Sequence, residues 1–188
     1  MMQIDVQNIL KEMEVKLASD DSWKVLCSPN MKWKEDPVFS KYHALSTKVK
    51  GKVGEKYTAG YFIAAGREVK KPQNSGHDRI VDGIKTEIKF SLANTMGGRI
   101  VHDKFMINHV SVCKNWERLV FVGINPMDAK VRVRAYFMEK EDFVKHMKGG
   151  SAVFKHQQAG KRGGNDDYIC TNFASFVSLP FVKDISEW

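Results

Sequence analysis

The chain has 188 residues, 43% of them hydrophobic and 28% charged, which is enough apolar material for a packed core and excludes a wholly disordered chain. Thirty Lys and Arg against 22 Asp and Glu leave a net charge of +8, a balance that suits a polyanionic partner. Cys27, Cys113 and Cys170 are scattered, with no CxxC pair, and no apolar run approaches the ~18 residues that cross a bilayer. A zinc ribbon, a disulfide framework and a membrane partner are therefore not expected. Met1 to Leu10 lacks a basic start and an apolar run, so the expectation is an intracellular, cytoplasmic protein.

Residues 3–18 carry Val6, Ile9, Leu10, Met13 and Leu17 at helical spacing, and residues 19–37 read as a loop broken at Ser28-Pro29-Asn30 and Pro37. Trp23 and Trp33 in that loop are expected to pack onto the body of the protein. Residues 1–40 hold five basic and seven acidic groups, whereas 41–60 hold Lys41, Lys48, Lys50, Lys52 and Lys56 against Glu55 alone. A second helix is predicted from Thr47 to Ala65. Val49, Val53, Tyr57, Tyr61 and Ala64 share a face of it, and Gly51, Gly54 and Gly60 weaken its intrinsic propensity. After a polar loop, Asp78 to Val81 and Ile84 to Ser91 flank Asp82-Gly83, the pattern of a two-residue β-hairpin. In the second strand Ile84, Thr86, Ile88 and Phe90 point one way, and Lys85, Glu87, Lys89 and Ser91 the other.

A short helix is expected at 102–112, buried strands at Arg118–Ile124 and Val131–Met138, and a helix at Glu139–Met147; beyond Gly149 the chain reads as polar and loop-rich. The order predicts a mixed α/β (α+β) fold with a central sheet flanked by helices. A single domain is expected, with an N-terminal helix and loop over 1–40, a core over 41–147 and a further region over 148–188.

The hairpin carries the chemistry. With Asp82-Gly83 as its turn, Val81 pairs with Ile84 and Asp78 falls opposite Glu87, which brings their Cβ atoms to about 4.5–5.5 Å. Two carboxylates so close repel each other when ionised, and a divalent cation between them relieves the repulsion. Lys89 lies two residues along the same face, roughly 6–7 Å from Glu87. Hard oxygen ligands suit magnesium, with manganese as a substitute. Such an ion neutralises a phosphate and acidifies a water, and a neighbouring Lys orients that water or meets the developing charge. An exposed strand of alternating Lys and Glu would show the same triplet without any chemistry.

His77 to Leu92, HDRIVDGIKTEIKFSL, resembles the core of the PD-(D/E)xK nucleases, in particular type II restriction endonuclease-like proteins, with His77 where that family often has Pro. The resemblance implies a restriction endonuclease-like core with Asp78, Glu87 and Lys89 as catalytic residues. It also implies a metal held by Asp78, Glu87 and the Ile88 backbone carbonyl. Asp82 competes with Asp78, because some relatives have the shorter Asp-to-Glu spacing. Lys50-Gly51-Lys52-Val53-Gly54-Glu55 resembles the family's KGxxxE helix, which makes Glu55 a fourth catalytic and metal-ligand candidate, with Glu68 a substitute. FMINHV, from Phe105 to Val110, resembles the helix that follows the catalytic triplet, with Asn108 where relatives carry Gln. The implied activity is magnesium-dependent hydrolysis of double-stranded DNA, as a sequence-specific restriction enzyme. A structure-directed or repair nuclease and a non-catalytic DNA-binding protein on the same scaffold are the alternatives. A homodimer would supply two active sites for a duplex cut.

Lys145 to Arg162 holds five Lys/Arg, two His and no acid. Within KHQQAGKRGGNDD (155–167), Lys155, His156, Gln158, Lys161, Arg162 and Asn165 are candidate DNA contacts, since such side chains read base edges and the glycines permit close approach. Lys48, Lys50 and Lys52 are expected to meet phosphates rather than bases.

Overall fold

A computed structural model describes residues 47–188, apart from 75, 94, 97–98, 101–104, 126–129, 132 and 158–166. The expected N-terminal helix and loop, with Trp23 and Trp33, lie outside the described residues. The elements run as helix α1 (Thr47–Ala64), strands β1 (Val69–Lys70), β2 (Arg79–Val81), β3 (Ile84–Leu92), β4 (Thr95–Met96), β5 (Arg99–Ile100), β6 (Ile107–Ser111), β7 (Arg118–Ile124) and β8 (Val133–Glu139), then helix α2 (Lys140–Lys148), β9 (Lys155–His156), β10 (Asp167–Cys170), helix α3 (Phe173–Val177), β11 (Lys183–Asp184) and a closing 3₁₀ turn (Ile185–Glu187). Among these residues no helix is long and apolar enough to cross a membrane.

The main sheet has the order β1-β2-β3-β7-β8-β11. Its central pair, β3 and β7, is parallel, and its other neighbours are antiparallel, so the sheet is mixed. The hairpin forms in the predicted register, Val81 opposite Ile84 and Arg79 opposite Thr86. Asp82 and Gly83 take positive φ, 50° and 84°, as a twisted two-residue hairpin turn demands.

Both faces of the sheet are covered, which is why RLVFVGI reads as a continuous apolar run. Val120, Val122 and Ile124 share one core with Ile88 and with Tyr57, Tyr61 and Phe62 of α1. Leu119 and Phe121 share the other with Trp116, Phe143 of α2, Phe154, and Phe173 and Phe176 of α3. Gly54 lets α1 lie directly on β3, since a Cβ there would stand 2.3 Å from Cβ of Phe90. The buried stripe of α1 runs through Gly54, Tyr57, Thr58, Tyr61 and Phe62. Val49 and Ala64, expected on that face, are exposed instead.

Two expectations are corrected. Residues 107–111 form a strand and not a helix, because β6 pairs with β10 in a second sheet of order β6-β10-β9. In the region read as polar and loop-rich after Gly149, the described residues also carry short elements, β9, β10, α3 and β11, placed by apolar anchors such as Phe154, Phe173 and Phe176. Smaller shifts are a β8 that begins at Val133 and an α2 that ends at Lys148.

Candidate active site

Beyond Arg79 strand β2 ends, and the edge of β3 passes to the side chain before it. The Asp78 amide donates to the Thr86 carbonyl at 3.0 Å. The Ile88 amide donates to Asp78 Oδ2 at 2.7 Å. A strand residue's N–H and C=O leave from the same edge, so the Ile88 carbonyl projects on the side where Asp78 sits. Glu87 pairs in register with Leu119 and Lys89 with Phe121, which puts both side chains on the sheet face away from α1.

Glu87 is 1% exposed. Its Oε1 accepts from Lys89 Nζ at 2.7 Å and from Lys114 Nζ at 2.8 Å, while its Oε2 has no hydrogen-bond partner among the described residues. A buried carboxylate oxygen left without a donor is unfavourable unless a ligand meets it. Asp78 feels the consequence: burial, then the charge of Glu87, push its carboxyl up to about 6, against the Ile88 amide and Lys89, which favour the ionised form. Glu55 adds a smaller push of the same sign.

Glu55 itself accepts from Arg79 Nη1 at 3.2 Å, and that arginine also donates to the Asp78 carbonyl at 2.5 Å. Glu55 thus reaches the neighbourhood of Asp78 from α1 but is tied to Arg79. Asp82 lies apart: its carboxylate caps the Glu68 amide at 2.9 Å and pairs with Arg67 at 3.2 Å. Glu68 is exposed and pairs with Lys70. Of the two competing aspartates, Asp78 is the one gathered with Glu87. His77 is buried beside it, and neither ring nitrogen has a partner among the described residues.

Among the described residues no group of three or more His, Cys, Asp or Glu side chains could hold a metal alone. The donors present are two carboxylates with the Ile88 carbonyl edge, and one carboxylate oxygen is unpartnered. That set fits magnesium, which needs only one or two protein carboxylates and keeps waters and phosphate oxygens for the rest. It does not suit a fully protein-enclosed ion.

Sequence reasoning missed Lys114, which no periodicity marks because it stands in the β6–β7 turn. Asn108, expected on a helix, lies on β6, with its Oδ1 buried and unpartnered and its Nδ2 near Met106 Sδ at 3.5 Å. Also missed was a clasp that joins His109, Gln157 and Asp167. The His109 amide donates to Gln157 Oε1 at 2.8 Å, His109 Nδ1 lies 3.3 Å from Asp167 Oδ2, and the Gln157 amide donates to the Asp167 carbonyl at 2.9 Å. His109 takes φ 52° to do so. Among the candidate DNA contacts, Lys155 and His156 are exposed on β9, and the His156 ring lies 4.7 Å from that of Tyr168. Lys52 is exposed, and Lys50 is half-buried, with burial pulling its ammonium below its ordinary range. Gln158, Lys161, Arg162 and Asn165 lie outside the described residues.

No family model matches the chain, and no curated protein matches it. Among solved structures, the bacterial homing endonuclease I-Ssp6803I is similar over 54% of this chain and 74% of that chain, at 15% identity and a TM-score of 0.37. A likeness that distant leaves the function of this chain to be argued from the geometry of its own residues.

Proposed function

We propose that the protein is a magnesium-dependent DNA endonuclease of the PD-(D/E)xK type that hydrolyses double-stranded DNA at specific sequences. One observation carries the reading: Asp78 and the buried, half-unpartnered Glu87 lie together beside Lys89 at the interrupted edge of a hairpin. Structural carboxylates are usually satisfied or solvated, and a buried carboxylate kept beside a half-buried one at mutual expense is a mark of a functional site.

In this reading Asp78, Glu87 and the Ile88 carbonyl would hold a magnesium ion, with manganese as a substitute. When bound, the ion supplies charge neutralisation at the phosphate and an acidified water. The chain's own groups do the rest. The Ile88 amide holds Asp78 Oδ2 and so sets the angle of that carboxylate. Lys89, only 15% exposed in its side chain, holds Glu87 Oε1 at 2.7 Å and offers an ammonium to the attacking water or to charge growing on the phosphate. Glu55 acts from behind, through Arg79 and its field on Asp78. Lys52 and Lys50 approach the backbone phosphates, and Lys155, His156, Gln158, Lys161, Arg162 and Asn165 approach the bases. A homodimer places two such sites on opposite strands.

The test is to incubate the protein with mixed-sequence duplex DNA and magnesium and sequence the fragment ends. Recurrent ends that vanish with chelator and in Glu87→Gln support the reading. Cutting confined to branched DNA would instead assign a structure-directed nuclease. Binding without any cutting would leave a DNA-binding protein on this scaffold.

A further inference from the structure

Glu87 Oε1 carries two ammonium groups while Oε2 carries none, and the two lysines are not equivalent. Lys89 stands on the same strand as Glu87 and is 15% exposed, whereas Lys114 is 41% exposed and comes from a turn. Hydrogen bonds tie the main chain of that turn. The Lys114 carbonyl accepts from Lys140 Nζ at 2.6 Å and from the Trp116 amide at 3.1 Å. Trp116 is buried, donates from its indole to the Ser111 carbonyl at 2.7 Å, and lies under the Lys140 ammonium. A fixed backbone carrying a solvent-reaching ammonium can move its charge by side-chain rotation alone. Glu87 Oε1 lies 2.8 Å from that ammonium, and the charges of Asp78 and Asp167 also act on it.

We propose that Lys114 is an exchangeable cation of the site: it holds Glu87 Oε1 in the metal-free protein, yields it to an incoming divalent ion, and then pairs with a DNA phosphate oxygen. Two acids with one structural lysine would carry excess negative charge whenever metal is absent, and Lys114 offsets it from a position that solvent and DNA can reach. This inference rests on the metal-dependent nuclease reading and adds to it a residue that touches substrate.

The test compares wild type, Lys114→Met, Lys114→Arg and Glu87→Gln in two measurements that need no turnover. Calorimetric titration with Mn²⁺ alone should show roughly tenfold tighter binding in Lys114→Met, because one charge-assisted hydrogen bond no longer competes. Duplex DNA binding in Ca²⁺ should weaken in the same variant, and its salt slope should fall by about one ion. Lys114→Arg should restore that slope. Thermal melting checks that each variant is folded, and Lys114→Gln, expected to show the same tighter Mn²⁺ binding and smaller slope, carries both measurements if Lys114→Met melts early. Unchanged Mn²⁺ affinity and salt slope in folded Lys114→Met, with Glu87→Gln losing Mn²⁺, would overturn the role of Lys114 and leave the nuclease reading intact. Absence of Mn²⁺ binding by the wild type would overturn both.

Discussion

Asp78 keeps a carboxyl raised to about 6 where a free one sits near 3.8, chiefly through burial and then the neighbouring Glu87 charge. A raised acid binds its proton more tightly folded than unfolded, so the metal-free fold loses stability as pH rises from about 4 to about 6 and gains nothing from this group above that. Asp78→Asn should remove that slope and raise the metal-free melting temperature at pH 8, while abolishing cleavage; chelator-treated melts across pH 4–8 check it. A variant less stable than wild type at pH 8 would contradict the account. Lys89→Met should cut single-turnover cleavage by about 10²–10³ with little change in DNA affinity, the size of one lost transition-state donor. These residues were legible in the sequence because alternation along one strand and a two-residue turn fix which side chains oppose each other. Lys114 was not, because its partner lies 27 residues away and no local pattern connects a turn lysine to a strand glutamate.

At the scale of elements, α1 and the hairpin show how local signals and packing divide the work. The glycines that weaken α1 as a helix include Gly54, whose missing side chain is what seats the helix on Phe90. Gly54→Ala should raise intrinsic helix propensity and still destabilise the protein by about 1–3 kcal/mol through overpacking. A urea midpoint that falls at constant slope would show it, and a midpoint that rises would contradict it. Asp82-Gly83 was readable because positive φ at both turn positions restricts residue choice. β6 was not: Phe105, Met106, Ile107 and Val110 allow a helical stripe, and only the distant partner β10 makes INHVS a strand. The Asp78-over-Asp82 choice likewise followed from the turn, where Asp82 is engaged with Arg67 and the Glu68 amide.

Across the molecule, two cores on opposite sides of one mixed sheet hold the site at a seam. The α1 core fixes β3 from one side, and the aromatic core of Trp116, Phe143, Phe154 and Phe173 fixes the β6–β7 turn and the β9–β10 hairpin from the other. The central sheet was foreseeable from uninterrupted apolar runs, whereas the tail after Gly149 looked polar because its few large apolar anchors are spread between loops and only tertiary packing gathers them. Its folding also joins Gln157 and Asp167 to His109 of β6. Gln157→Ala should therefore loosen discrimination between recognised and unrelated duplexes more than it weakens binding overall, measured as the ratio of the two affinities at one salt concentration.

The proposed function needs a divalent ion seated between Asp78 and Glu87. Crystals soaked in Mn²⁺ and measured at the manganese absorption edge address it directly. An anomalous peak within about 2.0–2.4 Å of oxygens from both Asp78 and Glu87, absent in Glu87→Gln, is the predicted result. A peak bound elsewhere, or none at this pair in a protein whose cleavage still needs metal, would contradict it.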